Sequence, residues 1–116
     1  MIEEKDGLLE VLKIINNKEA YKFVEPKKID ENIFEMGWYD YNPKILELNK
    51  IIGTDFDYVK NFKKISNKEI DELSKKDIIT YITRIFRGDR FCAGFLAQSI
   101  DDGTVGKLLE RYLELD

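Results

Sequence analysis

The chain has 116 residues, 43% of them hydrophobic and 36% charged, with 23 acidic residues against 19 basic ones for a net charge of -4. That is the length of a single domain, which buries roughly 60–70% of the surface its unfolded chain exposes, and the composition is that of a soluble globular protein. The acidic balance disfavours non-specific attachment to nucleic acid or to an anionic membrane. The absence of histidine removes Ser-His-Asp triads, Cys-His dyads, His-ligated zinc and an imidazole base together.

Cys92 is the lone cysteine, so thiolate-rich metal sites fall as well, no internal disulfide can form, and a reducing compartment fits. The start, "MIEEKDGLLEVLKIINN", is acidic where an export signal is positive, and no apolar run reaches membrane-span length. The expectation is a cytoplasmic protein with no membrane partner, no metal and no cofactor.

Leu8, Leu9, Val11, Leu12 and Ile15 recur at helical spacing and predict an amphipathic helix over 2–16. Tyr21 and Phe23 alternate with Lys22 ahead of Pro26, which suits an extended segment. Residues 29–36, "IDENIFEM", read as a short helix with Asp30 as N-cap and Gly37 as its left-handed C-terminal residue. "WYDY" at 38–41 alternates like a strand and is a pairing partner for 21–24. Asn42 before Pro43 starts a helix that carries Ile45, Leu46, Leu48 and Ile52 and closes at Gly53. Thr54 or Asp55 begins another, along which Tyr58, Val59, Phe62 and Ile65 align.

The last 43 residues read as three helices joined by tight glycine turns. Ser74 and Asp77 form a capping-box pattern before the stripe Ile78, Tyr81, Ile82, Ile85 and Phe86, which Gly88 is expected to end. Asp89 then caps a helix over 90–101 that is apolar almost all round, the predicted buried hub of the domain. Thr104 caps a last helix with Val105, Leu108, Leu109, Tyr112 and Leu113 on one face.

Among candidate sites, Arg87-Gly88-Asp89 needs an exposed extracellular loop to act in adhesion, and reads instead as a helix boundary. Cys92 in a first helical turn beside Arg90 is either an activated thiolate or a small buried hydrophobe, and the missing histidine base favours burial. Arg84, Arg87 and Arg90 are three of four arginines in a chain that otherwise uses fifteen lysines. Arginine offers a planar fork for carboxylate or phosphate. The cluster, beside Tyr81, either staples the helices by pairing with Asp89, Asp101 or Asp102, or clamps an anion.

Phe34, Trp38, Tyr39 and Tyr41, with Glu35 and Asp40, form either the edge of the core or a binding patch centred on Trp38. Asp55 and Asp57 lie two apart, so on a helix they do not face together as metal ligands. Lys60, Lys63, Lys64 and Lys68 are the only nucleic-acid candidates, and the acidic total opposes them.

The stretch "YITRIFRGDRFCAGFLAQSIDDGTVGKLLERYLEL" resembles a small bacterial family of unknown function whose signature is Arg-Phe-Cys, a variable residue and Gly. The matching positions are Arg87, Asp89, Arg90, Phe91, Cys92, Gly94, Leu96 and Gly103, with "WYDY" as an upstream element. The resemblance spans 74–115 and implies a self-contained helical domain of bacterial type, with no activity attached.

The reading is a mainly α single domain, 1–116, of about six helices around the 90–101 helix, with room for one two-stranded β element. Functionally it is a non-catalytic binding or protein-interaction module, with an unknown protein partner or self-association. The alternative is an enzyme or sensor for a phosphate-bearing small ligand held by Arg84, Arg87 and Arg90, with Tyr81 and Trp38 in support.

Overall fold

A computed structural model describes residues 2–115, with side chains from Glu4 onward. In chain order the elements are α1 (Ile2–Asn16), β1 (Tyr21–Val24), β2 (Lys27–Asp30), β3 (Ile33–Glu35), β4 (Trp38–Tyr41), α2 (Pro43–Leu46), α3 (Leu48–Ile52), α4 (Tyr58–Ile65), a 3-10 turn (Ile70–Glu72), α5 (Lys75–Phe91), α6 (Phe95–Asp101) and α7 (Thr104–Glu114). The fold is mainly helical, as the periodicity implies, and one core cluster draws residues from α1, α2, α3, α4, α5, α6 and α7.

The organising element is α5. Its start is set by the expected capping box, in which Ser74 Oγ accepts from Asp77 N while the Asp77 carboxylate accepts from Ser74 N. Ile78, Ile82 and Ile85 then bury one stripe completely, and each such side chain contributes roughly 1.5–3 kcal/mol when taken from water. Against this stripe pack α3, α4, α6 and α7, and α1 closes the far side on α3 and α7.

The expected hub over 90–101 does not form as one helix. Gly88 does not stop α5; Arg90 and Phe91 complete it, Cys92–Gly94 turn, and α6 starts at Phe95. A mid-helix glycine costs about 1 kcal/mol against alanine, but here it makes room, since a Cβ on Gly88 would stand 3.3 Å from the Phe95 ring. The left-handed residue is Gly94 instead, at φ 92°, where a Cβ would also lie 2.8 Å from the Tyr39 ring. Phe91 is consequently 89% exposed, and Cys92 is an exposed free thiol rather than a core residue. The apparent all-round apolarity of 90–101 came from joining the end of one helix, a turn and the start of the next.

The expected pairing of 21–24 with 38–41 is present, antiparallel, with Tyr21 opposite Tyr41 and Val24 opposite Trp38. The expected helix at 29–36 is not. β2 and β3 pair as a second antiparallel ribbon, Lys27 opposite Glu35 and Lys28 opposite Phe34, with an irregularity before Asp30 meets Ile33. The two ribbons make one long hairpin arm. Asp30 accepts from Asn32 N at the tip, a turn contact rather than a helix cap. Gly37 has no left-handed backbone; it permits close approach, because a Cβ there would meet Phe23 Cζ at 2.6 Å.

Asn42 caps α2 as expected, its Oδ1 accepting from Lys44 N, and Gly53 closes α3 at φ 102°. The following helix begins later than expected, at Tyr58, because Asp55 is used by a loop. After α6, Asp102 Oδ1 accepts from Thr104 N and Gly103 takes φ 87°, so Thr104 is the first residue of α7 rather than its cap.

Candidate functional site

The loop between α3 and α4 is fixed to α5 by polar contacts that begin with two buried threonines. Thr83 Oγ1 donates to Ile79 O at 2.8 Å and accepts from Asp55 N at 3.1 Å and Asn49 Nδ2 at 3.4 Å. Asp55 Oδ2 accepts from Thr80 Oγ1 at 2.6 Å and Asn61 Nδ2 at 2.9 Å, and its Oδ1 from Asp57 N. The Thr80 and Asn61 hydrogen bonds hold the Asp55 carboxyl below the usual carboxylate range against the opposing effect of burial. The Asp55 and Asp57 pair is thus loop architecture. Between them Phe56 is held outward, 83% exposed.

Facing that loop is the C-terminal half of α5, with the three clustered arginines. Arg84 is occupied within the protein: its guanidinium carbon stands 4.3 Å from the Phe62 ring centre and 5.6 Å from that of Phe95, and Tyr81 meets Phe62 edge-on at 5.1 Å. This stack joins α4, α5 and α6. The fourth arginine, Arg111, is also occupied, donating from Nε to Leu73 O at 3.1 Å with Glu114 3.9 Å from Nη1.

Arg87 and Arg90 differ. Among the described residues neither has a carboxylate within 4.0 Å. The carboxylates expected to staple them have other donors. Asp89 Oδ1 accepts from Tyr41 Oη at 3.0 Å, Gly94 N at 3.2 Å and Leu96 N at 3.0 Å. Asp101 accepts from Tyr21 Oη at 2.5 Å, and Asp102 serves the turn into α7.

Two recesses meet at Arg87 and Arg90. One, about 330 Å³, is walled by Phe56, Tyr58 and Phe91. The other, about 350 Å³, includes Asn49, Lys50, Thr54 and Phe86. Both guanidinium groups therefore line an aromatic recess and a mixed one, in which Leu46, Phe86 and Leu96 stand beside the polar side chains.

The tyrosines of the arm's base form the second notable construction. Tyr41 Oη, besides donating to Asp89, accepts from Ala97 N at 3.1 Å, so β4 is tied to the α5–α6 corner. Tyr21 ties β1 to the end of α6. Burial first, then the Asp89 charge, holds the Tyr41 phenol well above the ordinary tyrosine range, with the Ala97 N–H pulling the other way. The hydrogen bond to Asp101 leads in pushing Tyr21 up to about 12. Tyr39 packs against Tyr21, Phe23 and Tyr41 with ring centres 4.9–6.3 Å apart.

The sequence-derived candidates thus separate into three places: Arg87 and Arg90 at the cleft, Arg84 with Tyr81 in the interhelical stack, and Trp38 on the arm at 49% exposure. Sequence reasoning missed Phe56 and Tyr58 as cleft walls and Tyr41 as Asp89's partner; the Asp-Phe-Asp start of an expected helix concealed the loop. Arg87-Gly88-Asp89 lies within α5, not on a loop. Lys68 pairs with Asp77 at 3.8 Å, while Lys60, Lys63 and Lys64 are exposed on α4. Among the described residues no group of three or more acidic or cysteine side chains is placed to hold a metal ion, and no helix is long and apolar enough to cross a membrane.

Residues 1–116, the entire sequence, match the model of the family of unknown function DUF6508. The chain belongs to that family. No curated protein and no solved structure matches this DUF6508 chain.

Proposed function

We propose that this DUF6508 chain is a non-catalytic interaction module of the bacterial cytoplasm that self-associates through its hairpin arm. The observation that carries the reading is the arm's uncovered apolar surface: Ile29, Ile33, Phe34, Met36 and Trp38 are all exposed, Met36 to 81%. The accessible surface is 7913 Å², whereas a compact monomer of this mass exposes about 6,600 Å². The radius of gyration is 15.8 Å, against about 13.4 Å for a compact domain. An excess of about 1,300 Å² per chain is more than the roughly 800 Å² per partner that a standard interface covers.

The occupant that the arm's chemistry favours is a second copy of the chain. β2 pairs only with β3 among the described residues, which leaves its outer edge open for strand addition. Set antiparallel to itself across a two-fold axis, Lys27–Asp30 places Lys27 of each chain opposite Asp30 of the other. The end positions are then complementary in charge, and Lys28 of each chain faces Ile29 of the other between them.

Light scattering on a sizing column tests this. The expected mass is about twice 13.7 kDa at tens of micromolar protein. Lys27→Asp and Asp30→Lys should each weaken the dimer roughly tenfold through repulsion at two symmetric pairs, and the combined swap should restore it. A monomer at all concentrations, or a swap that fails to rescue, overturns the reading; capture of a different protein on an otherwise monomeric chain would reassign the arm to that partner.

A further inference from the structure

We infer that the cleft at Arg87 and Arg90 binds a small nucleotide-type ligand, one that joins a phosphate to a planar aromatic ring. The inference is independent of the arm. Of the four arginines, Arg84 and Arg111 are occupied by rings, a carbonyl and a carboxylate, whereas Arg87 and Arg90 make no ion pair among the described residues. Both line the same two recesses, and Lys50 lines the second of them. In a chain of net charge -4, this is a local concentration of cationic donors.

The acidic groups nearby offset it only in part, since three cationic side chains, Lys50, Arg87 and Arg90, line the second recess against the one carboxylate of Asp89. Asp89 keeps its charge, but its Oδ1 is turned to three donors of the protein, Tyr41 Oη, Gly94 N and Leu96 N. Asp55 is taken up by Thr80, Asn61 and the Asp57 N–H. Guanidinium forks suit phosphate oxygens geometrically.

The aromatic side defines the rest of the ligand. Phe56 and Phe91, both more than four-fifths exposed, stand with Tyr58 around a recess of about 330 Å³. Phe56 does not reach solvent on a loose loop: the backbone beside it is held by Thr83 through Asp55 N and by Asp55 through Asp57 N. Preorganised aromatic faces next to guanidinium groups provide stacking for a base and charge for its phosphate. The compartments, about 330 and 350 Å³, are at the small end of ligand sites, which selects a mononucleotide over a strand.

Titration of the 15N-labelled chain with adenosine 5′-monophosphate tests this by NMR, with inorganic phosphate, adenosine and a thymidine oligonucleotide as comparison probes. The expected result is saturable shifts at Phe56, Tyr58, Arg87, Arg90 and Phe91, with phosphate or adenosine alone at least tenfold weaker. Arg87→Ala with Arg90→Ala should abolish binding, and Phe91→Ala, at an exposed position that the fold does not use, should weaken it several-fold with an unchanged spectrum elsewhere. No shift at millimolar nucleotide overturns the proposal, as does binding that survives the arginine pair's removal. An oligonucleotide that binds tenfold more tightly than the mononucleotide overturns it in favour of a strand-binding surface.

Discussion

The helical body and the hairpin arm obey opposite rules of burial. In α5, Ile78, Ile82 and Ile85 are enclosed from all sides; in β2 and β3 every residue is exposed. The body is stabilised by tertiary packing of amphipathic faces, which a short helix cannot do without in water. The arm persists on ladder hydrogen bonds, a tip turn and two tyrosine ties at its base, a minimal arrangement for a two-stranded ribbon. Stability and interaction are therefore assigned to different segments, and substitutions should separate them.

The largest effect belongs to the body. Ile82→Ala should cost about 3–4 kcal/mol, within the range for buried aliphatic truncations, read as a lower urea midpoint at unchanged slope. Next is the joint between the two regions. Asp89→Ala leaves Gly94 N, Leu96 N and Tyr41 Oη without their shared acceptor and should cost about 2–3 kcal/mol, while Asp89→Asn, which keeps an oxygen, should cost less. Equal losses in the two Asp89 variants would show that the joint does not depend on that acceptor.

Alkaline pH probes the same joint more gently. Tyr21 and Tyr41 have folded pKa values raised above the unfolded one, so their contribution is fully present below about pH 10 and is lost as pH rises through the folded values. Urea midpoints measured from neutral pH to about 11.5 should fall more steeply for the native chain than for Tyr21→Phe with Tyr41→Phe, where this loss is absent. Parallel curves would show that the phenols are not protected by Asp101 and Asp89.

The smallest effect on stability is expected at the arm's surface. Phe34, 64% exposed, should tolerate Phe34→Ser within about 0.5 kcal/mol when unfolding is followed on the monomer at low concentration. The same variant should nevertheless lose the dimer on the sizing column. A large drop in monomer stability would mean that the arm packs on its own body, and the contrast between the regions would collapse.

Legibility in the sequence followed the reach of each signal. The Asn42 cap, the Ser74–Asp77 box and the Gly53 turn are written within four residues, and all three are present. The periodic stripes of α1 and α7 place those helices correctly because their apolar residues face a single core. Gly88 suggests a stop because glycine is a poor helix former; whether it stops or is tolerated depends on Phe95 packing across it. At the candidate site, the arginine cluster was visible by composition, but which arginines remain unpaired was not. Arg84 is stacked on rings from positions 62 and 95, outside any local pattern.

By itself, the sequence determined a mainly helical domain without histidine chemistry, the helices with clean caps and periodicity, and the pairing of 21–24 with 38–41. Only the tertiary structure decided where α5 ends, that 27–35 extends the arm as strands, that Tyr41 meets Asp89 across 48 positions, and that Arg87 and Arg90 open onto a cleft. The reason is physical: caps and periodicity act over one or two turns of chain, whereas close approach, shared acceptors and exposed aromatic faces arise when distant segments compete for the same space.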